Sequence, residues 1–157
     1  MTDDTRLELS GILHPATAVA AIIMIDGRYL LQLRDDKAGI FFPKDWGCFG
    51  GAVEPGESDL DALVRELKEE LALDIAPVLP KYFTRFDFDL GFAGMEPIWR
   101  VFFELELPQS AMAEIHLAEG SDVRLIAAED ILTHAIPIVP YDDFALWFHI
   151  NRHRLAP

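Results

Sequence analysis

Residues 50–73 read GGAVEPGESDLDALVRELKEELAL, a glycine-rich turn followed by an acidic segment with helical periodicity. Ser58 can cap the first turn of that helix, and Asp61 follows three residues later. At about 100° per residue, one helix face collects apolar side chains that we expect to pack on the core. They are Leu60, Leu63, Val64, Leu67 and Leu71. The stretch therefore predicts a turn, a helix over residues 58–71 and the side of that helix that is buried.

Three carboxylates converge on another face of the predicted helix. Glu66, Glu69 and Glu70 stand at i, i+3 and i+4, where like charges destabilise a helix by roughly 0.2–0.5 kcal/mol per pair. Acids near the end of a helix also oppose its dipole. A divalent cation held by carboxylate oxygens would reverse the sign of this interaction. A solvated acidic face is the competing interpretation.

The spacing of glycine, glutamate and arginine favours the cation site. It resembles the Nudix box, G-x5-E-x7-R-E-U-x-E-E-x-G-U, where U is aliphatic. The matching positions are Gly51, Glu57, Arg65, Glu66, Leu67, Glu69, Glu70 and Leu73. Ala72 replaces the late glycine, and we expect this to affect only how the helix ends, because glycine there is a helix-stop residue. The resemblance extends over roughly residues 15–135.

The resemblance implies an α/β (α+β) fold, an α/β/α sandwich with a mixed β-sheet, in a single Nudix domain over residues 1–157. The remaining sequence agrees with a layered domain. The apolar runs 17–25 and 29–33 are joined by Asp-Gly, which predicts a hairpin. Residues 81–90 and 97–107 predict a second hairpin.

The last part of the chain predicts shorter elements. Residues 123–127 suit a strand and residues 128–132 a helical turn. A last helix over residues 142–152 follows Pro140. Its apolar side chains suit one packed face, and they are Phe144, Leu146, Trp147 and Ile150.

The resemblance also implies the chemistry. Nudix enzymes hydrolyse a nucleoside diphosphate linked to another moiety, and Mg²⁺ or Mn²⁺ would offset the repulsion between an acidic site and a pyrophosphate. The implied metal site comprises Glu69 and Glu70 as the best ligands, Glu66 as a ligand or water-orienting group, the Gly51 carbonyl, and Glu57 as an outer partner. Arg65 is expected to orient the glutamates. Glu66 and Glu119 are both candidates for the general base.

Substrate contacts are expected from Arg34, Trp46 and Arg85, with core packing and surface ion pairs as the competing roles. Motifs typical of other Nudix branches are missing after the box. This leaves a nucleoside triphosphate, of which an oxidised deoxynucleotide is one case, or a sugar-nucleotide-like diphosphate. The alternative is a non-catalytic Nudix-like domain that binds a nucleotide and regulates a partner. Such domains usually lose box glutamates.

The amino-acid composition limits the partners and the compartment that we expect for the protein. The 157 residues include 13 Lys and Arg against 27 Asp and Glu, a net charge of −14 that argues against nucleic acid polymers and anionic membranes. Cys48 is the one cysteine, which excludes an intrachain disulfide and fits a reducing compartment. With acids at Asp3 and Asp4 and no long apolar run, we expect a cytoplasmic protein. A mean hydropathy of +0.17 and the 11 Phe, 3 Trp and 3 Tyr residues favour a homodimer.

Overall fold

The computed structural model describes residues 15–75 and 78–155 and confirms the predicted α/β class with a mixed sheet. Its strands are β1 (Ala18–Ile25), β2 (Arg28–Leu33), β3 (Trp46–Gly47), β4 (Lys81–Phe88), β5 (Ile98–Glu106) and β6 (Asp122–Ile126). Its α-helices are α1 (Asp59–Leu71), α2 (Ala128–Leu132) and α3 (Pro140–Asn151). Short 3₁₀ turns occupy Gly91–Ala93, Gln109–Ala113 and Arg152–Arg154.

Both predicted hairpins form, and one parallel pairing makes the sheet mixed. The strand order is β3-β2-β1-β5-β4, with β6 also paired to β2. β1 runs antiparallel to β2 and parallel to β5, with Val19 opposite Val101 and Ile23 opposite Leu105. β4 lies antiparallel to β5, with a register irregularity between Tyr82 and Thr84. The long-range β1–β5 pairing places the two hairpins side by side in one sheet.

Residues 46–52 enter the sheet where β1 and β2 diverge. β3 pairs with the end of β2, and isolated antiparallel bridges join Phe49 to Ala21 and Ala52 to Ala18. The segment therefore lies between the two strands of the first hairpin beyond the point where they pair with each other. This position brings the glycine turn against β1 and directs the chain into α1.

Helices cover both faces of the sheet, as the predicted sandwich requires. On one face α1 packs Leu63, Leu67 and Leu71 against side chains such as Val19 and Phe103. On the other face, α2 and α3 contribute apolar side chains to a second cluster. No helix among residues 15–75 and 78–155 is long and apolar enough to cross a membrane.

The buried side of α1 is rotated relative to the apolar stripe. Leu60, predicted to be core, is 42% exposed, whereas Ala62 and Glu70 are buried. Val64 is only half-buried. The buried face therefore includes Glu70 and leaves Leu60 at its edge, so the prediction for Leu60 is wrong because a polar residue takes a core position.

α3 forms as predicted, but two of the side chains predicted for its packed face are exposed. Leu146 is buried, but Phe144 and Trp147 are 57% and 45% exposed. The positions expected for them are taken by Asp142 and His149, which are buried and hydrogen-bonded. Polar residues with specific partners thus set the rotation of this helix also.

Candidate active site

The glycine turn is pressed against β1. Gly50 has a φ of +136°, and a Cβ there would lie 2.2 Å from the Val19 carbonyl oxygen. The Val19 N–H donates to the Gly51 carbonyl at 2.9 Å. A Cβ on Gly51 would lie 2.5 Å from the carboxylate of Glu66. Both positions therefore require glycine, the first because of the backbone and the second because of a site side chain.

The ends of α1 follow the expected capping pattern. The Ser58 hydroxyl accepts a hydrogen bond from the Asp61 N–H at 3.1 Å, which confirms the predicted N-cap. At the other end Ala72 takes a left-handed conformation with φ 53°, and its N–H bonds to the Leu67 and Lys68 carbonyls. This is the conformation that favours glycine, so Ala72 ends the helix as the motif glycine would, at a conformational cost.

Arg65 holds the glutamates in place. Its guanidinium donates from Nε and Nη2 to the two carboxylate oxygens of Glu57 at 2.9 and 3.0 Å. Nη1 donates to Glu66 at 2.7 Å and lies 3.4 Å from Glu69. Nη2 also donates to the Ala52 carbonyl at 2.9 Å. This forked geometry is typical of arginine with carboxylates, and it joins the turn to α1.

The two main partners of Arg65, Glu57 and Glu66, differ in the direction of their pKa shifts. The hydrogen bond from Arg65 lowers the pKa of the Glu57 carboxyl. The guanidinium therefore stabilises the ionised form of Glu57. Burial raises the pKa of Glu66, and this outweighs the opposing effect of Arg65. Glu66 is therefore the partner whose charge the protein stabilises less well.

Glu70 is the most deeply buried acid of the group, at 6% exposure. Its carboxylate accepts hydrogen bonds from the Gly50 N–H at 2.8 Å and from the Gln32 amide at 3.2 Å. Burial raises its pKa to about 7, and the charges of Glu66 and Glu119 add to the rise. The protein thus buries a carboxylate among other carboxylates with too little compensation to keep it readily ionised.

A small open cleft gives access to Glu70. Its lining combines acids and bases and comprises Gln32, Arg34, Asp35, Lys37, Ile40, Glu70, Glu119 and Gly120. Two of the predicted site residues far apart in sequence, Arg34 and Glu119, are therefore brought to the same place as the box glutamate. A larger but shallow depression on the outer side of α1 is lined by Arg65 and Glu69 without Glu70.

The predicted metal ligands do not form a preformed coordination site. In the part of the chain that the structure describes, no group of three His, Cys, Asp or Glu side chains is assembled to hold a metal ion. Glu66 is turned to Arg65, and Glu69 is 59% exposed on its side chain. Arg65 contacts Oε1 of Glu66 and Oε2 of Glu69, so a metal would be held through the other oxygen of each carboxylate.

The donor chemistry nevertheless fits Mg²⁺ or Mn²⁺. The available atoms are carboxylate and carbonyl oxygens, which hard divalent cations prefer. The buried Glu70 lies close enough to Glu66 and Glu119 for their charges to disfavour its ionised form. A cation placed among these acids would remove that penalty, because it supplies the missing opposite charge.

The three predicted substrate contacts lie in different environments. Arg34 lines the cleft and donates from Nε to the Phe41 carbonyl at 2.9 Å. Trp46 is 6% exposed and packs in the core, with the Arg124 guanidinium 5.2 Å from its ring. Arg85 pairs with Asp87 at 2.6 Å and does not line the cleft. The structure thus brings only Arg34 to Glu70.

Two polar contributions were not foreseen from the sequence. Gln32 is 4% exposed and reaches Glu70 from the end of β2. Its signal in the sequence is a single polar residue within the apolar run 29–33. Asp142 on α3 accepts from the Cys48 N–H at 2.9 Å and from Arg100 at 3.0 Å. These hydrogen bonds fix the residues just before the glycine turn. No local sequence pattern predicts them, because Cys48 and Asp142 are 94 positions apart.

The fold and the site together define an α/β protein with a glycine turn against the sheet and an acidic helix whose Glu70 lines a small cleft. The chain belongs to the Nudix family, because the NUDIX domain model matches residues 13–145.

Curated relatives and solved structures agree with this assignment. Nucleoside triphosphatase NudI of Escherichia fergusonii is 51% identical over 55 residues, which are 35% of this chain and 38% of that protein. The E. coli dihydroneopterin triphosphate pyrophosphohydrolase superposes with a TM-score of 0.66 at 22% identity, covering 86% of this chain and 95% of the other. The E. coli ORF135 protein gives 0.68 at 25% identity, covering 94% and 97%. The chain aligns with well under half the length of the NudI relatives.

Proposed function

We propose that this chain is a cation-dependent pyrophosphohydrolase that cleaves a nucleoside triphosphate to a nucleoside monophosphate and pyrophosphate. The observation that carries the proposal is the buried carboxylate of Glu70 in a cleft that also contains Arg34 and Glu119. A triphosphate is strongly anionic, and acids alone would repel it. Mg²⁺ or Mn²⁺ among the acids, together with Arg34 and Lys37, would make the cleft attractive to phosphate oxygens.

Each box residue has a role in this proposal. Glu66, Glu69 and Glu70 hold the cation, with the Gly51 carbonyl as a further oxygen ligand and Glu57 fixed behind them by Arg65. When bound, the cation neutralises charge on the phosphate oxygens and makes a water molecule more acidic. Arg65 acts as a positioning residue, because its hydrogen bonds reach the glutamates rather than the cleft.

A carboxylate must accept the proton of the attacking water. Glu66 and Glu119 are the two candidates for this role, and the charges of both raise the pKa of Glu70. Glu119 lines the cleft, whereas Glu66 is held by Arg65. The variants E66Q and E119Q distinguish them, because loss of the base removes the rise of kcat with pH on the acidic side of the profile. E119Q should leave nucleotide binding in place, whereas E66Q also removes a cation ligand and should weaken it.

Several observations support the substrate class. NudI is named a nucleoside triphosphatase, and the superposed E. coli enzyme is named a triphosphate pyrophosphohydrolase. A sugar nucleotide is the second candidate, and a regulatory nucleotide-binding domain is the non-catalytic one. All box glutamates are present, which favours catalysis. The net charge of −14 favours free nucleotides over nucleic acid polymers or anionic membrane surfaces. We propose a cytoplasmic protein with a single Nudix domain over residues 1–157.

The test is a substrate panel with a matched pair of variants. Nucleoside triphosphates, sugar nucleotides and ADP-ribose are incubated with Mg²⁺, Mn²⁺ or EDTA, and products are separated by anion exchange. Wild type and E129Q, altered on α2 across the sheet, should release a nucleoside monophosphate only with the cation, and E70Q should not. Nucleotide binding by calorimetry without turnover of any substrate would instead establish the regulatory alternative.

A further inference from the structure

The outward side of α3 carries an unusual aromatic surface. Phe144 and Trp147 are 57% and 45% exposed, and their rings stack at 6.0 Å with an interplanar angle of 12°. Phe86 of β4 lies 5.3 Å from Phe144 and extends the group onto the sheet edge. We call these three residues the aromatic patch. Contiguous exposed aromatic surface is typical of an interaction site, because water is displaced from it favourably.

The charges at the two ends of α3 are opposite. Asp143 lies in the first turn and is partly exposed, with an ion pair to His134 at 3.2 Å. The helix runs into a basic turn that contains Arg152, His153 and Arg154, of which Arg152 is already paired with Glu104 at 2.7 Å. An antiparallel copy of the same helix would place its basic end over this acidic end, and its acidic end over this basic end. Such self-complementarity is what a two-fold interface requires.

We propose that the aromatic patch is the interface of a homodimer in which α3 packs antiparallel to α3 of a second copy. The two patches would face each other near the two-fold axis, flanked on each side by Asp143 of one copy and the basic turn of the other. Each copy carries a net charge of −14, so association elsewhere on the surface is opposed by repulsion. At this face, Arg154 of one copy opposite Asp143 of the other would reduce that repulsion.

The interface is independent of the proposed catalysis. α3 packs on the opposite face of the sheet from α1, which carries the box glutamates. Three aromatic side chains per copy place the contact among small interfaces, for which we expect a dissociation constant roughly in the micromolar range. The dimer would therefore form and dissociate within the concentration range of ordinary sedimentation experiments.

A matched pair of variants tests the aromatic patch. Sedimentation equilibrium of the full chain should show a monomer–dimer equilibrium, and Phe144→Glu should raise its dissociation constant by about tenfold or more. Phe92→Glu makes the same change at a residue that is 86% exposed in the Gly91–Ala93 turn, and should leave the constant unchanged. A wild type that stays monomeric at the highest concentration, or equal effects of the two variants, would overturn the proposal.

Charge reversal tests the antiparallel arrangement. Asp143→Arg and Arg154→Asp should each weaken the dimer several-fold, because each places like charges opposite one another. The double variant restores opposite charges and should recover most of the wild-type affinity. Thermal unfolding by circular dichroism confirms that each variant is folded, which matters because Asp143 pairs with His134. A double variant that dimerises more weakly than either single variant would contradict the arrangement.

Discussion

Glu70→Gln should stabilise the metal-free protein while abolishing its activity. The wild-type carboxyl has a pKa raised from 4.5 to about 7 by burial. Below pH 4.5 the side chain is protonated in both the folded and the unfolded chain. As the pH rises toward 7, the unfolded chain releases the proton while the folded chain retains it, so folding loses stability. Above pH 7 the raised pKa of Glu70 lowers the free energy of unfolding by its full amount. At 1.36 kcal/mol per pKa unit this is about 3 kcal/mol.

Glutamine removes this penalty because it is neutral at every pH. It has nearly the shape of the protonated acid, and the Gln32 amide can turn to present its oxygen to the new donor, with loss of its long 3.5 Å hydrogen bond to the Cys48 carbonyl. The Gly50 N–H keeps its acceptor. We therefore expect E70Q to be about 1–3 kcal/mol more stable than wild type near pH 8 in EDTA, and equally stable near pH 4.5.

Urea denaturation in EDTA at several pH values measures this difference directly. Titration of the acids outside the site affects both proteins alike and cancels in the comparison. E129Q, altered across the sheet, serves as the control and should follow wild type. Added Mg²⁺ should stabilise wild type and leave E70Q unchanged. The reasoning is refuted if E70Q is the less stable protein near pH 8, or if the difference from wild type does not change with pH.

Three further substitutions test the local structure of the box. Ala72→Gly should raise the free energy of unfolding by about 0.5–1 kcal/mol in urea, since it relieves the left-handed conformation at φ 53°, and a loss of stability would contradict this assignment. Gly51→Ala should lower kcat by at least about tenfold, because its Cβ displaces the Glu66 carboxylate. Gly56→Ala is its control, with open space around the Cβ and a strained φ of +81°, and should lose stability but not kcat. Arg65→Lys should lower kcat by roughly 10- to 100-fold with little change in KM, because an ammonium group cannot bridge Glu57 and Glu66; unchanged kcat would show that the clamp is not needed.

Local patterns in the sequence predicted much of the fold. The Asp-Gly hairpin, the second hairpin and the helix capped by Ser58 all form because their signals lie within a few residues of one another. The parallel pairing of β1 with β5 has no such signal, because it joins segments about 80 residues apart. Hairpins interrupted by helices, together with the resemblance to a known family, indicated a mixed sheet, but neither indicated which strands would pair in parallel.

The helix faces were predicted less well, and the reason is chemical. Periodicity assigns apolar residues to the core, but Glu70 and Asp142 occupy core positions through hydrogen bonds to Gly50, Cys48 and Arg100. Each buried acid rotates its helix, and apolar residues such as Leu60 and Trp147 become exposed in consequence. A pattern of hydropathy cannot identify a buried acid whose partners are distant in sequence.

The sequence predicted which residues belong to the candidate site better than it predicted their contacts. The spacing of the box selected the glutamates, and the resemblance implied that Arg65 orients them. Neither indicated that the guanidinium would hold Glu57 and Glu66 in particular. Arg34 lies in the cleft, whereas Trp46 is buried in the core. Whether an arginine or aromatic residue faces a site depends on sheet register, which the sequence does not specify outside a hairpin.

The most direct test of the central claim is whether the acids around Glu70 bind a divalent cation. Electron paramagnetic resonance of Mn²⁺ counts the free ion as protein is added, with a nucleoside triphosphate analogue present. Wild type and E129Q should bind Mn²⁺ with the same affinity, and E70Q should bind it at least about tenfold more weakly. Equal Mn²⁺ affinity of E70Q and wild type would contradict the account, because the buried carboxylate would then have no part in holding the cation.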